Sequence, residues 1–120
     1  MIDKKFAQEF AQEWVSAWNA HDLDAILSHY SDDFEMTSPF ISSVAGGTGN
    51  TLKGKAAVAE YWKVALEKFP DLKFELSDVL VSQYSLIIHY RSVMNKMAAE
   101  IMMFGADGEV VKSIAHYDEI

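Results

Sequence analysis

The sequence predicts an α+β fold in which helices come first and a curved sheet follows. Apolar residues recur at helical spacing in most segments before Pro70, whereas alternating, strand-like runs fill most of the chain after it. Two turn signals, the Gly-Ala-Asp-Gly run at 105–108 and the weaker break at Asn95-Lys96, divide the late strands into hairpins. Helices and strands that are segregated along a chain are typical of the α+β class. The 120 residues suit one domain, which we expect to span 1–120.

Three helices are predicted from an N-cap residue, an apolar stripe or a terminating proline. They cover Asp3 to about Ala20, Leu23 to about Tyr30, and about Gly54 to Phe69. In the first, Trp14 and Trp18 lie four residues apart on the apolar side, where they could serve the core, a pocket wall or both. Asp22 is a suitable N-cap for the second. The third carries an unbroken apolar stripe, and Pro70 stops it.

Five strands are predicted from alternation and from turn residues at their ends. They cover Phe34–Ser38, Leu72–Val81, Ser85–Val93, Met97–Phe104 and Val110–Tyr117. Pro39 ends the first strand because proline cannot donate to a strand ladder. A kink is expected near Ser77-Asp78. The Gly- and Ser-rich segment from Ser42 to Asn50 is predicted to be a loop.

Composition excludes several classes of partner. The formal charge of −8 and the pI near 4.8 argue against nucleic acid and anionic membranes, which attract clustered Lys and Arg. The chain has no cysteine, and no signal peptide or membrane span is visible, so we expect a cytoplasmic protein. The histidines do not show metal-ligand spacing, and no phosphate-binding loop is present. We therefore expect neither a metal nor a cofactor.

Glu100 is the residue on which a functional prediction depends. It is the single charged residue of the strand Met97–Phe104, and it shares a face with Ala98, Met102 and Phe104 because side chains alternate along a strand. A carboxylate among apolar side chains must be paired, protonated or open to a wet cavity. The pattern therefore suggests a pocket around Glu100.

The first hairpin decides which residue lies across from Glu100. An even-numbered loop at Asn95-Lys96 places Arg91 opposite Glu100 and His89 opposite Met102, whereas a three-residue loop places Tyr90 there. We favour Arg91 because that register pairs opposite charges. The Arg91–Glu100 pair is then either a silent structural ion pair or part of an acid/base or binding site.

The second hairpin places Ser113 opposite Glu100, with Tyr117 further along the same face. A bulge at Gly108 would instead bring Ile114 and His116 to that face. The candidate catalytic residues are Glu100, His89 and Arg91, and the candidate ligand-binding residues are Trp14, Trp18, Tyr30, Met36, Ser38, Tyr61, Met102, Phe104, Ser113 and Tyr117.

The late strands are apolar on both faces, which one layer of helices cannot cover. In the favoured register the back of the sheet would expose Ile88, Tyr90, Ile101, Met103 and Ile114 to water. We therefore predict a homodimer formed through the back of the sheet.

Four stretches of the chain keep an order and spacing that are typical of one superfamily: Trp14–Ile26, Tyr30–Phe34, Leu52–Val58 with Tyr61-Trp62, and Phe104–Val111. Through them, nearly the whole chain resembles the nuclear transport factor 2-like superfamily, in its SnoaL-like and ketosteroid isomerase-like branch. The resemblance implies a cone-shaped, cystatin-like α+β barrel, in which a curved antiparallel sheet encloses a pocket that three helices close. It also implies frequent dimers through the sheet.

The ketosteroid isomerase branch offers three catalytic positions for comparison. By resemblance, its general base corresponds to Ser38, its helix-one tyrosine to Trp14, and its protonated acid to Glu100. Serine is not a useful base without a neighbouring one, and an indole donates a hydrogen bond but is not an acid. These differences argue against steroid isomerisation and leave Glu100 as the acid.

Two functions are compatible with these residues. The first is a cofactor-independent isomerase, cyclase or lyase that acts on a small carbonyl-type or polycyclic compound, with Glu100 as acid/base and His89 or Arg91 orienting the substrate. The alternative is a non-catalytic, dimeric accessory domain that binds a small molecule. The alternative predicts ligand-dependent thermal shifts with no product.

Overall fold

A six-stranded, curved and unclosed sheet wraps around helices in the computed structural model, which describes residues 1–47 and 49–120. The helices are α1 (Lys4–Asn19), α2 (Leu23–Leu27), α3 (Ile41–Ala45) and α4 (Lys55–Lys68). The strands are β1 (Tyr30–Thr37), β2 (Thr51–Lys53), β3 (Glu75–Val81), β4 (Ser85–Arg91), β5 (Met97–Phe104) and β6 (Val110–Tyr117), with a 3-10 turn at Val93–Asn95. The predicted α+β class, with a curved sheet and closing helices, is confirmed.

The strands lie in the order β2-β1-β6-β5-β4-β3. Neighbouring strands are antiparallel except β1 and β6, which run parallel, so the sheet is mixed where an antiparallel sheet was expected. The expected kink in β3 is present as a register shift between Leu76 and Asp78. Among the helices of the described residues, none combines the length and apolar character that a membrane crossing requires.

Two short elements, α3 and β2, lie in and just after the segment that was predicted to be loop. Polar side chains explain the helical turn: the Asn50 Oδ1 accepts hydrogen bonds from the Ser42 N–H and hydroxyl, both at 3.1 Å. The Ser38 hydroxyl accepts a bond from the Phe40 N–H at 3.3 Å. Thr48, which belongs to the predicted loop, lies outside the described residues.

Helix α1 supplies the layer that packs on the sheet. Asp3 caps its start by accepting a hydrogen bond from the Phe6 N–H at 2.8 Å. Its buried stripe consists of Ala7, Phe10, Ala11, Trp14, Ala17 and Trp18. At its end, the Asn19 side chain accepts from the Phe74 N–H at 2.6 Å and donates to the Phe74 carbonyl at 3.0 Å. This clamp fixes α1 against the segment that leads into β3.

Helix α2 is capped by Asp22 as predicted, since the Asp22 carboxylate accepts a hydrogen bond from the Ala25 N–H at 3.1 Å. The helix ends at Leu27, however, and Tyr30 already belongs to β1. The side chain of Tyr30 is 1% exposed, so burial in the sheet overrides the helical spacing that suggested a longer helix.

The register predicted for the β4–β5 hairpin is wrong in both of its forms. Glu100 lies opposite Ile88, and Arg91 lies opposite Met97. Five residues, Ser92 to Lys96, connect the two strands, and the 3-10 turn within them holds two residues in the left-handed region, Met94 (φ 56°) and Asn95 (φ 59°). An odd-numbered connection shifts the faces by one residue.

The β5–β6 register is also displaced, by two residues. Glu100 lies opposite Ala115, and Ser113 lies opposite Met102. One residue comes from the turn, because Phe104 pairs with Val110 where Glu109 was predicted, and the other from a register shift between Met103 and Phe104. A displacement by two residues leaves each side chain on the same face of the sheet. Ser113 and Tyr117 therefore share the face of Glu100, as predicted.

These registers define an inner face, which packs against the helices, and an outer face. Ile88 and Tyr90, predicted on the outer face, are buried on the inner one at 0% and 2% exposure. Ile101, Met103 and Ile114 alternate with the buried residues and lie on the outer face, as expected. His89 and Arg91 follow the same alternation to the outer face.

Candidate functional site

A cavity of about 360 Å³ lies between the inner face of the sheet and helices α1, α3 and α4. Aromatic and aliphatic side chains make up most of its wall, which is typical of small-molecule sites. The described lining residues are Trp14, Trp18, Tyr30, Met36, Ser38, Phe40, Ser43, Val44, Tyr61, Trp62, Ala65, Lys68, Phe69, Leu72, Phe74, Tyr90, Ser92, Val93, Met94, Glu100 and Tyr117.

Glu100 is the only carboxyl group among the lining residues that the structure describes. Strand β5 directs it inward, and its side chain is 6% exposed. The Tyr90 hydroxyl donates a hydrogen bond of 3.2 Å to its Oε1. Burial raises the pKa of Glu100 from 4.5 to about 7, although the Tyr90 hydrogen bond lowers it in part. Glu100 therefore exchanges its proton near neutral pH.

Four tyrosines belong to the same cavity: Tyr30, Tyr61, Tyr90 and Tyr117. Burial raises the pKa of each phenol, and the negative charge of Glu100 raises it further. The pKa of Tyr61 reaches about 12. At neutral pH these groups stay protonated, so they can donate hydrogen bonds but cannot act as bases.

The inner part of the cavity wall is built around Trp14. Its Nε1–H donates a hydrogen bond of 2.9 Å to the Tyr30 hydroxyl. Its ring stacks on Phe74 at 5.5 Å and meets Tyr90 edge-on at 5.0 Å. These contacts join α1, β1 and β4, so the wall beside Glu100 is held from three elements.

The wall extends to the end of α4 and to the turn between β4 and β5. Lys68 and Phe69 come from α4, while Val93 and Met94 come from the turn. The Met94 side chain is 64% exposed, which is unusual for a large apolar residue and places this part of the wall next to solvent. We take it as the mouth of the cavity.

Most of the predicted ligand-binding residues line this cavity. They are Trp14, Trp18, Tyr30, Met36, Ser38, Tyr61 and Tyr117, and Glu100 joins them. Met102 and Ser113 are buried at 0% and 1% exposure but are not part of the wall. Phe104 is also not part of the wall, because its ring packs against Phe6 at 5.5 Å and Phe10 at 5.1 Å.

The predicted catalytic roles of His89 and Arg91 are not compatible with the structure. Both lie on the outer face, and neither lines the cavity. The Arg91 Nη1 donates a hydrogen bond of 3.0 Å to the Asn95 carbonyl, so Arg91 secures the hairpin turn. The odd-numbered connection after β4 turned these two side chains away from Glu100.

Tyr90, the hydrogen-bond partner of Glu100, was not among the candidate site residues, although the three-residue loop that we did not favour brought it to the face of Glu100. The signal was present, because Leu86, Ile88 and Tyr90 are large and apolar while the alternating His89 and Arg91 are polar. If the inner face of this strand had been chosen by the size and apolar character of its side chains, Tyr90 would have been placed on it. Trp62 and Phe69 were recognised only as part of the apolar stripe of α4.

The family model described as a SnoaL-like domain matches residues 11–117. The chain belongs to the SnoaL-like family. The resemblance seen in the sequence is thereby confirmed, and among curated proteins no sequence matches.

Three solved structures place this SnoaL-like chain among its relatives. A SnoaL-like protein of unknown function from Burkholderia thailandensis is 51% identical over 98% of both chains, with a TM-score of 0.91. A candidate isomerase of the SnoaL-like family from Agrobacterium tumefaciens is 15% identical, over 93% of this chain and 97% of that one, with a TM-score of 0.75. The candidate polyketide cyclase IdmH from Streptomyces antibioticus is 14% identical, over 93% and 91%, with a TM-score of 0.75. The last two show a shared fold alone.

Proposed function

We propose that this SnoaL-like protein binds a small, mostly apolar carbonyl compound and moves a proton on it through Glu100, as a cofactor-independent isomerase, cyclase or lyase does. The observation that carries the proposal is the position of Glu100, a lone buried carboxyl in an aromatic cavity with a pKa raised to about 7. A group with this pKa is present in both protonation states at neutral pH. It can therefore serve as acid and as base in one cycle.

The proton transfer needs only groups of the cavity wall. Ionised Glu100 takes a proton from the carbon next to the substrate carbonyl, and the electron pair moves onto the carbonyl oxygen. Phenols that remain protonated, such as Tyr61, can donate hydrogen bonds to that oxygen. Glu100 then returns the proton to a different carbon of the same molecule, so that atoms and charge balance. Ser38, which corresponds to the general base of the ketosteroid isomerase branch, is not used as a base in this scheme.

The alternative function, a non-catalytic binding domain, is favoured by one observation. Among the described residues of the wall, there is no second carboxyl or histidine that could share the acid and base roles with Glu100. A cavity with one such group is sufficient for orientation of a ligand through a hydrogen bond. The two functions differ in whether a bound carbonyl compound exchanges carbon-bound protons.

Acetylnaphthalene and naphthalene form a matched pair of probes for both functions. Protonated Glu100 can donate to the ketone oxygen, and the carboxylate cannot. The affinity for acetylnaphthalene should therefore fall by about tenfold as the pH rises through about 7, whereas naphthalene binding stays nearly constant. Glu100→Gln should remove the pH dependence, because its amide donates at every pH. Calorimetric titration of both proteins measures these affinities.

Proton transfer is tested with the same ketone in deuterated water. Wild-type protein should accelerate deuterium incorporation into the methyl group of acetylnaphthalene, and Glu100→Gln should not. Binding without exchange supports the accessory domain. A wild-type affinity that does not change with pH contradicts a hydrogen bond from Glu100 to the ketone, absence of exchange contradicts the proton transfer, and absence of acetylnaphthalene binding contradicts both functions.

We also propose that two copies pair through the outer face of the sheet. Leu80, Ile87, Ile101 and Ile114 lie side by side in register across β3 to β6 and form an apolar row. Leu80 is 55% exposed in the single chain. A row of this kind is self-complementary about a two-fold axis, so a second copy can cover it.

Ile101→Lys places a charge in the centre of that apolar row and should convert the dimer to a monomer. Val64→Lys, which changes a 39% exposed residue of α4 instead, is the control and should leave the dimer intact. Sedimentation velocity measures both. A wild-type protein that sediments as a monomer at micromolar concentration contradicts this assembly.

A further inference from the structure

The mouth of the cavity continues into a second, more open depression, which we call the outer groove. Residues 68–73 and 92–94 line it, and its volume is about 380 Å³. Six of these nine residues also line the cavity, so the two spaces share a boundary. A molecule that is too long for the cavity alone can therefore extend through the mouth into the groove.

The charge of the outer groove differs from that of the protein as a whole. The chain has a formal charge of −8, with 10 Lys and Arg residues against 18 Asp and Glu residues. The groove is lined by two lysines, Lys68 and Lys73, and by one carboxylate, Asp71. Its lining residues therefore carry a net positive charge, which attracts a small anion to the entrance of the cavity on a protein that otherwise repels anions.

Lys68 lies at the boundary between the two spaces. It is the only cationic residue among the described residues of the cavity wall, and it also lines the groove. Lys68 and Lys73 are both exposed, so a ligand can reach them. Among the described residues, neither ammonium group donates a side-chain hydrogen bond, whereas that of Lys96 donates to the Glu119 carbonyl at 3.1 Å. The dipole of α4 accounts for a cation at Lys68 but not at Lys73, which lies beyond the helix.

We propose that the molecule bound in the cavity is a keto acid, whose apolar, ketone-bearing part lies beside Glu100 and whose carboxylate is held in the outer groove by Lys68 and Lys73. The proposal rests on the proposed function and narrows its substrate class from a carbonyl compound to an amphipathic acid. Apart from Lys68 at the mouth, the described cavity wall offers no cation. A carboxylate at the inner end would therefore be a buried charge without a counter-ion, which fixes the orientation of the ligand.

Naphthalenes that carry an acetyl group and a carboxylate on an alkyl chain test this contact, each compared with the carboxamide of the same shape. The attachment point and the chain length are both varied, so the test does not depend on a chosen distance between Glu100 and the groove. Calorimetry at about pH 6 keeps Glu100 mostly protonated and the carboxyl of the probe mostly ionised. At least one acid should bind about two- to tenfold more tightly than its amide in dilute buffer. Added salt should reduce the preference.

Lys68→Gln should weaken the preference for the acid, and Lys68→Gln combined with Lys73→Gln should abolish it. Lys63→Gln is the matched control, because it removes the same charge from an exposed residue of α4 that lines neither the cavity nor the groove. It should keep the preference. Acid and amide are compared within each protein, so a change in the stability of α4 affects both affinities equally.

A preference that survives in the double variant, or that Lys63→Gln removes as completely, overturns the role of the two lysines. If acetylnaphthalene shows the pH-dependent affinity expected from Glu100 while no acid is preferred over its amide, this inference fails and the proposed function stands. If no probe binds, both fail.

Discussion

Between acid and neutral pH, the free energy of unfolding of Glu100→Gln is expected to rise by about 3 kcal/mol relative to that of the wild-type protein. The carboxyl has a pKa of about 7 in the folded chain and 4.5 as its ordinary value. Below about pH 4.5 it is protonated in both states and carries no penalty. As the pH rises towards 7, the unfolded chain releases the proton while the folded chain keeps it, so the wild-type protein loses stability. This difference in pKa between the folded and the unfolded chain corresponds to about 3 kcal/mol.

Urea unfolding of both proteins between about pH 4 and about pH 8 measures this difference. The quantity of interest is the free energy of unfolding of the wild-type protein minus that of Glu100→Gln at each pH. It should fall as the pH rises and level off above about 7. Tyr90→Phe is an informative companion, because removal of its hydrogen bond should raise the pKa of Glu100 and enlarge the loss. A difference that does not change with pH contradicts the burial of Glu100 in an apolar cavity.

Trp14→Ala is expected to have the largest effect on stability, a loss of about 3 to 5 kcal/mol in the free energy of unfolding. The side chain is 2% exposed and fills the space between α1 and the sheet. The substitution removes its stacking on Phe74, its edge contact with Tyr90 and its hydrogen bond to the Tyr30 hydroxyl. It also enlarges the cavity. Because several elements hold the wall in place, the surrounding side chains cannot collapse into the new space, and this adds to the loss of stability.

Trp14→Phe separates the hydrogen bond from the packing. It retains an aromatic ring but leaves the buried Tyr30 hydroxyl without the indole donor, which should cost about 1 to 2 kcal/mol. Urea unfolding at neutral pH measures both variants. A loss below about 1 kcal/mol for Trp14→Ala would show that Trp14 does not hold the cavity wall together.

The inward position of Glu100 could be predicted from the sequence, because a carboxyl in an otherwise apolar strand requires a special environment. The residues around it depended on loop geometry. Met94 and Asn95 adopt left-handed backbone conformations although neither is glycine, and charge pairing favoured an even-numbered loop over the odd-numbered alternative. That one-residue difference carried His89 and Arg91 to the outer face.

Alternation along a strand predicts the face of a residue but not its depth in the fold. Ser113 shares the inner face with Glu100, yet it lies beyond the cavity in the solid part of the core. Phe104 is covered by Phe6 and Phe10 of α1, a contact between segments that are far apart in the chain. Such contacts require the path of the whole chain, which local periodicity does not contain.

The central claim is that Glu100 is a buried acid that exchanges its proton near neutral pH. A carbon-13 NMR titration of the Glu100 side-chain carboxyl, assigned by comparison with Glu100→Gln, measures it directly. We expect a titration midpoint at about pH 7. A midpoint at 4.5 or below would show that Glu100 is an ordinary carboxylate at neutral pH, and neither the proposed proton transfer nor the expected pH dependence of stability would hold.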